Sequence, residues 1–330
     1  MKIAVFSTKA YDREFLVAAN EKNGYEISFY EERLTHSTTV LARGCEAVCV
    51  FVNDVVDAEV LEMLAAEGTR LILMRCAGFN NVDIACAAKL GINIRRVPSY
   101  SPYAVAEHTL ALILTLNRKT HRAFNRVREG NFSLEGLLGF DLHDSTVGII
   151  GTGKIGRLTA RPLHAMGCHI LGYDPFPHEE FTVDGGEYVS LKRLYAESDI
   201  ISLHVPLTPE SFHMINAQSL EQMKRGVMLI NTSRGALVDA DALIGALKSG
   251  QVGYVGLDVY EQEAELFFQD LSGEIIQDDT LQRLLTFPNV LITSHQAFFT
   301  KTAMTNISET TLGNAADFLS GRSSANEVKK

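Results

Sequence analysis

Cysteine is scarce. The five present, Cys45, Cys49, Cys76, Cys86 and Cys168, are odd in number and stand at no metal-finger spacing, so neither a disulfide framework nor a metal site is indicated. Reduced thiols fit a cytoplasmic protein. Basic charge is also short, with 30 Lys and Arg against 40 Asp and Glu and a formal net charge of −10. Nucleic acid and anionic membranes both need a basic face, so neither is expected as a partner. Long apolar runs are missing too. The most apolar stretch, Ala104 to Leu116, carries Glu107 and His108 and falls short of the roughly 20 residues that span a bilayer. The apolar start from Met1 to Phe6 meets Lys9, Asp12, Arg13 and Glu14, which suits a first strand better than a signal peptide. Repeats and low-complexity segments are absent.

What the chain does have is bulk and alternation. With 330 residues and 46% hydrophobic content, it can bury a large core and suggests about two domains. In the first hundred residues, apolar runs at Ile3 to Ser7, Ile27 to Tyr30, Ala47 to Val52, Leu71 to Arg75 and Ile92 to Val97 alternate with helical patterns such as Ala58 to Ala66. Strands apolar on both faces imply a parallel sheet covered by helices. A long helix is expected from Ser101 as N-cap and Pro102 at the first turn to about Lys119. A second series follows at Val147 to Ile150, His169 to Tyr173, Ile200 to His204, Val227 to Asn231, Tyr254 to Val259 and Val290 to Thr293. Six strands suffice for a doubly wound sheet. A last helix, from about Thr302 to Leu319, precedes a polar tail.

Gly151-Thr152-Gly153-Lys154-Ile155-Gly156 lies directly between an apolar strand and a helical pattern. In that setting the first glycine turns sharply, the second admits a pyrophosphate, and the third lets helix pack on strand. The helix N-terminus, opened by Lys154 and Ile155, offers N–H groups to phosphate. Asp174 follows Gly156 by 18 positions at the end of the next strand. A carboxylate there accepts ribose hydroxyls and repels a 2′-phosphate, which favours NAD over NADP. Pro162, inside the helix that follows, is expected to kink it.

Arg234, Glu263 and His295 each follow an expected strand of the second sheet, at the edge where open α/β sheets bind ligands. Reduction of a 2-keto acid needs a bidentate donor for the carboxylate, a proton donor for the carbonyl oxygen, and a group that orients that donor. Arginine, histidine and glutamate meet those needs in turn.

At this point the chain resembles the D-isomer-specific 2-hydroxyacid dehydrogenase family. The resemblance rests on Arg75-Cys76-Ala77-Gly78-Phe79-Asn80-Asn81-Val82-Asp83, on Val97 to Pro102 with Ala106-Glu107-His108, and on the glycine fingerprint. His204 to Thr208, Asn231 to Gly235, Asp258 to Glu261 and His295 to Phe298 complete it. It implies an α/β fold of two doubly wound domains, with a Rossmann-type cofactor domain (100–299) inserted into a flavodoxin-like substrate domain (1–99 and 300–330). Hinges are implied at 99–101 and 298–300. In the roles it implies, Arg234 binds the substrate, His295 protonates the carbonyl oxygen and Glu263 supports His295. Val205, Pro206, Ser211, Thr232, Ser233 and Asp258 would meet the NAD. Arg75 and the amides of Ala77 and Gly78 would meet the substrate carboxylate, while Tyr100 and Phe298 would line the side-chain pocket. The implied activity is NADH-dependent reduction of pyruvate to D-lactate by a homo-oligomer, a dimer or a tetramer. A broader D-2-hydroxyacid or glyoxylate and hydroxypyruvate reductase is the alternative, and an NAD-sensing corepressor a third reading.

Overall fold

The structure, a computed structural model, describes residues 1–329. It divides into two compact units, one made of Met1–Ser101 with Phe299–Lys330, the other of Pro102–Phe298. The chain thus leaves the first unit after Ser101 and returns to it at Phe299.

The first unit is built on strands β1 (Lys2–Val5), β2 (Glu26–Phe29), β3 (Ala47–Val50), β4 (Leu71–Met74) and β5 (Asn93–Arg96). All pair in parallel, in the order β2-β1-β3-β4-β5. Alternation along each strand feeds two cores. Ala4, Val48, Val50, Ile72 and Met74 pack on one face with Leu61 and Leu64, while Ile3, Val5, Ala47, Leu71 and Leu73 pack on the other with Leu16 and Leu312. This explains why the expected strands read as unbroken apolar runs: helices cover both faces. The helix Lys301–Leu319 closes the second face. The polar tail after it is fastened to β5, where Arg96 N donates to Asn326 O at 3.0 Å and Val328 N to Ile94 O at 2.9 Å.

The second unit holds β6 (Thr146–Ile150), β7 (His169–Tyr173), β8 (Gly186–Tyr188), β9 (Ile200–Leu203), β10 (Val227–Asn231), β11 (Val252–Leu257) and β12 (Val290–Ile292). Their order is β12-β11-β10-β9-β6-β7-β8, all parallel. The chain reverses direction across the sheet between β6 and β9, which opens a crevice at the carboxyl ends of those strands. One expectation needs correction. The sheet has seven strands rather than six, because the three-residue edge strand β8 carries no apolar run. The helix Lys154–Ala165 is a single helix across Pro162. Pro162 sits in its last turn, so only the carbonyl four residues earlier loses its donor and the first turn is untouched. The helix Pro102–Arg118 lays Leu112, Ile113 and Leu116 against Val147, Ile149, Met228 and Ile230 of the sheet. Among the described residues no helix is long and apolar enough to cross a membrane.

Candidate active site

The cofactor end of the crevice is shaped by backbone contacts that exclude side chains. Gly151 has φ +93°, and a Cβ on it would stand 2.5 Å from His204 O. A Cβ on Gly156 would stand 2.0 Å from Gly151 O, so the helix lies on the strand as closely as two backbones permit. At Gly153 a Cβ would meet nothing within 4 Å. A side chain there would intrude on the space over the helix N-terminus, where the N-cap residue supplies no side-chain bond. Lys154 is exposed and Ile155 half-buried in the first turn. Positive dipole, uncapped N–H groups and open space suit a pyrophosphate. Asp174 stands at the end of β7, accepting from Thr152 N at 2.7 Å and from Phe176 N at 2.8 Å. These bonds aim the carboxylate and leave lone pairs for ribose hydroxyls. The residues present therefore fit NAD.

The loop after β9 carries Val205, Pro206 and Ser211. Ser211 Oγ donates to Pro206 O at 2.7 Å and accepts from Thr208 N at 2.8 Å, so this hydroxyl builds the loop itself. His204, at the base of the loop, lies 2.9 Å from Ser202 Oγ. Burial pushes its imidazole down to about 4, against an ordinary value of about 6.5. His204 thus stays neutral in the fold, whereas an unfolded chain protonates it below about pH 6.5, and stability present above that pH falls as pH drops toward 4, by at most about 3 kcal/mol. Urea unfolding at pH 7.0 and 4.5 should show a smaller loss for His204→Asn than for the unaltered chain. An equal loss in both would remove His204 as a cause.

The substrate end rests on three strand ends. After β10, the buried Asn231 accepts from Ser233 N at 3.0 Å through Oδ1 and donates to Arg234 O at 2.8 Å through Nδ2. This turn holds Arg234, whose Nη1 donates to Ser233 O at 2.7 Å. Arg234 is half-buried, and among the described residues no carboxylate pairs with its guanidinium. A sheltered guanidinium without a counter-charge is suited to an anionic ligand. After β11 and β12 the expected pair is assembled. His295 Nδ1 lies 2.6 Å from Glu263 Oε1, with both side chains about five-sixths shielded from solvent, and Glu263 Oε2 accepts from Tyr260 N at 2.9 Å. The carboxylate therefore fixes a proton on Nδ1 and leaves Nε2 to face a ligand. Phe268 and Phe298 flank the imidazole, with ring centroids 5.8 and 6.4 Å away. His295 has φ +54°, a left-handed backbone unusual for a residue with a side chain.

Other expected residues have other surroundings. Asp258 is fully buried and its carboxylate accepts from the amides of Gln296 and Ala297, at 2.9 and 2.8 Å. Thr232 pairs its hydroxyl with Thr109 at 2.9 Å, and the half-buried Ser233 is held by Asn231. In the first unit, Ala77 and Gly78 are half-buried, the carbonyl of Ala77 accepting from Arg96 Nη1 at 2.7 Å. Tyr100 is half-buried as well, its carbonyl bound by Asn306 Nδ2. Arg75 has its partners inside the first unit. It is 2% exposed, donates to the carbonyls of Phe6 and Ser7 at 2.8 Å each, and lies 3.4 Å from Asp12. These bonds support the loop after β1, while its buried Nε has no hydrogen-bond partner among the described residues. Sequence reasoning missed Asn231 as the support of Arg234. Its signal was available, since a fully buried amide at a strand end must bond a turn.

The family model described as D-isomer specific 2-hydroxyacid dehydrogenase, NAD binding domain, matches residues 110–297. The chain is 52% identical over 328 residues to the D-lactate dehydrogenase of Escherichia coli K12, covering 99% of this chain and 100% of that protein. The apo-structure of D-lactate dehydrogenase from Escherichia coli superposes with a TM-score of 0.92 at 49% identity, covering 99% and 100% of the two chains. The NAD-complexed D-isomer specific 2-hydroxyacid dehydrogenase of Lactobacillus delbrueckii ssp. bulgaricus matches with a TM-score of 0.81 at 31% identity and covers all of both chains.

Proposed function

The chain belongs to the D-isomer-specific 2-hydroxyacid dehydrogenase family and is an NAD-dependent enzyme; from that premise we propose that it reduces pyruvate to D-lactate. The observation that carries this reading is the 2.6 Å pair of His295 and Glu263 on the same sheet edge as an arginine without a counter-charge. Bound nicotinamide supplies the hydride for C2 of the keto acid. Arg234 grips the carboxylate with two parallel N–H bonds and polarises the carbonyl. His295 gives its Nε2 proton to the carbonyl oxygen as charge develops there. Glu263 holds the ring by Nδ1 and turns Nε2 toward the carbonyl oxygen. Phe298, beside the imidazole of His295, bounds the side-chain pocket. Val205, Pro206, Ser211, Thr232, Ser233 and Asp258 surround the dinucleotide, the last by holding the loop beside it.

NADH oxidation across pyruvate, 2-ketobutyrate, phenylpyruvate, glyoxylate and hydroxypyruvate tests the substrate. Pyruvate should give the highest kcat/KM and D-lactate as product. A preference for glyoxylate or hydroxypyruvate would reassign the enzyme as a broader reductase, and a methylene's worth of pocket shape separates neighbours on this panel by only about 1–3 kcal/mol.

The working form is a homo-oligomer. Support comes from the segment after the long helix, where the helix Thr120–Arg128 buries none of its residues and Phe124, Phe132, Leu134 and Leu138 are exposed. Apolar side chains gathered on one projecting segment mark a contact surface. The five cysteines are free, four of them buried, which suits a reducing cytoplasm.

A further inference from the structure

The loop that presents His295 is held by one buried carboxylate. Asp258 takes the amides of Gln296 and Ala297 on its two side-chain oxygens, and its backbone carbonyl accepts from His295 N at 2.7 Å. Residues 295 to 297 are thereby fastened one after another, and the left-handed backbone of His295 is sustained by those bonds. The hydroxyl of Thr293 adds a further bond, donating to Asp258 Oδ1 at 2.5 Å.

A hydroxyl has one proton to give. With that proton on Asp258, Thr293 Oγ1 can only accept from its other neighbour, His108 Nε2, at 3.0 Å. Nε2 of His108 therefore carries hydrogen, and the same nitrogen lies 3.4 Å from Asp258 Oδ1. Among the described residues no other basic side chain pairs with Asp258. His108 stands on the helix Pro102–Arg118, beside Thr109, whose hydroxyl ties the helix to Thr232. The donor is thus mounted on a packed element rather than on a loop.

We propose that His108 is a positioning residue for the proton transfer: its Nε2–H, acting through Thr293 and Asp258, sets the orientation in which His295 meets the carbonyl oxygen. This rests on His295 being the proton donor. A small misplacement of a catalytic group slows the reaction far more than the strength of one hydrogen bond would suggest. A neutral packing role would instead tolerate any side chain of similar volume.

The test compares the unaltered enzyme with His108→Leu, His108→Gln, His108→Asn and, as a reference, His295→Ala. Pyruvate kinetics, the solvent deuterium isotope effect on kcat, NADH binding by fluorescence and melting temperature are measured for each. Glutamine places an amide nitrogen near the position of Nε2, whereas asparagine reaches only that of Nδ1. Leu and Asn should lower kcat about 10- to 30-fold with a larger solvent isotope effect, while NADH affinity stays within about twofold. Gln should recover kcat to within about threefold of the unaltered enzyme. The proposal is overturned if His108→Leu keeps the unaltered kcat while His295→Ala is inactive, or if Gln is as slow as Leu at an unchanged melting temperature. Should Leu fail to fold, the contrast between Gln and Asn decides by the same criterion. Full activity in His295→Ala would instead refute the reading of the site itself.

Discussion

His295→Ala should lower kcat for pyruvate reduction by about 10³-fold, within the 10²–10⁴ range for loss of a positioned general acid. NADH affinity should be little changed, because the fingerprint, the helix N-terminus and Asp174 belong to other strand ends. The loss should fall on kcat and kcat/KM alike, the mark of an interaction made in the transition state. The proposed donor role of His295 rests on its geometry. Its Nδ1 is committed to Glu263 at 2.6 Å, so only Nε2 can serve the substrate. Stopped-flow single-turnover rates would separate this step from product release, and a wild-type single-turnover rate in the variant would sink the assignment.

Arg234→Gln should lower kcat/KM by a comparable factor, about 10³, since two charge-assisted hydrogen bonds are each worth about 1.5–3 kcal/mol. Here the pyruvate KM should rise steeply as well, because the guanidinium holds the carboxylate before and during hydride transfer. Arg234→Lys is expected to recover little. A lysine offers a point charge where the turn built by Asn231 presents a planar fork. Restoration of kcat/KM by lysine would mean that charge alone suffices and that the bidentate grip is wrong. Steady-state kinetics of the three proteins settle the matter.

Much of this architecture was legible in the residues. Parallel strands buried on both faces announce themselves as apolar runs, so β3, β4, β9 and β10 were found nearly to the residue. Strand ends then pointed to Arg234, Glu263 and His295, because function on such sheets gathers at one edge. The edge strand Gly186–Tyr188 escaped notice because three residues, one of them glycine and one charged, carry no periodic signal. Arg75 entered through the resemblance alone, and only the fold shows the carbonyls of Phe6 and Ser7 closing on it. Tertiary partners at long separation were the least legible. His108 and Thr293 lie 185 residues apart in sequence and 3.0 Å apart in space. The motif around His108 was plain, yet nothing local told what its imidazole would touch.

The left-handed backbone at His295 has a consequence for the protein's history under selection. A side-chain-bearing residue in that conformation costs roughly 1 kcal/mol relative to glycine. Screening for heat resistance without an assay for turnover would therefore favour discarding this histidine. Under the proposed mechanism, durability and activity then pull against each other at a single dihedral angle.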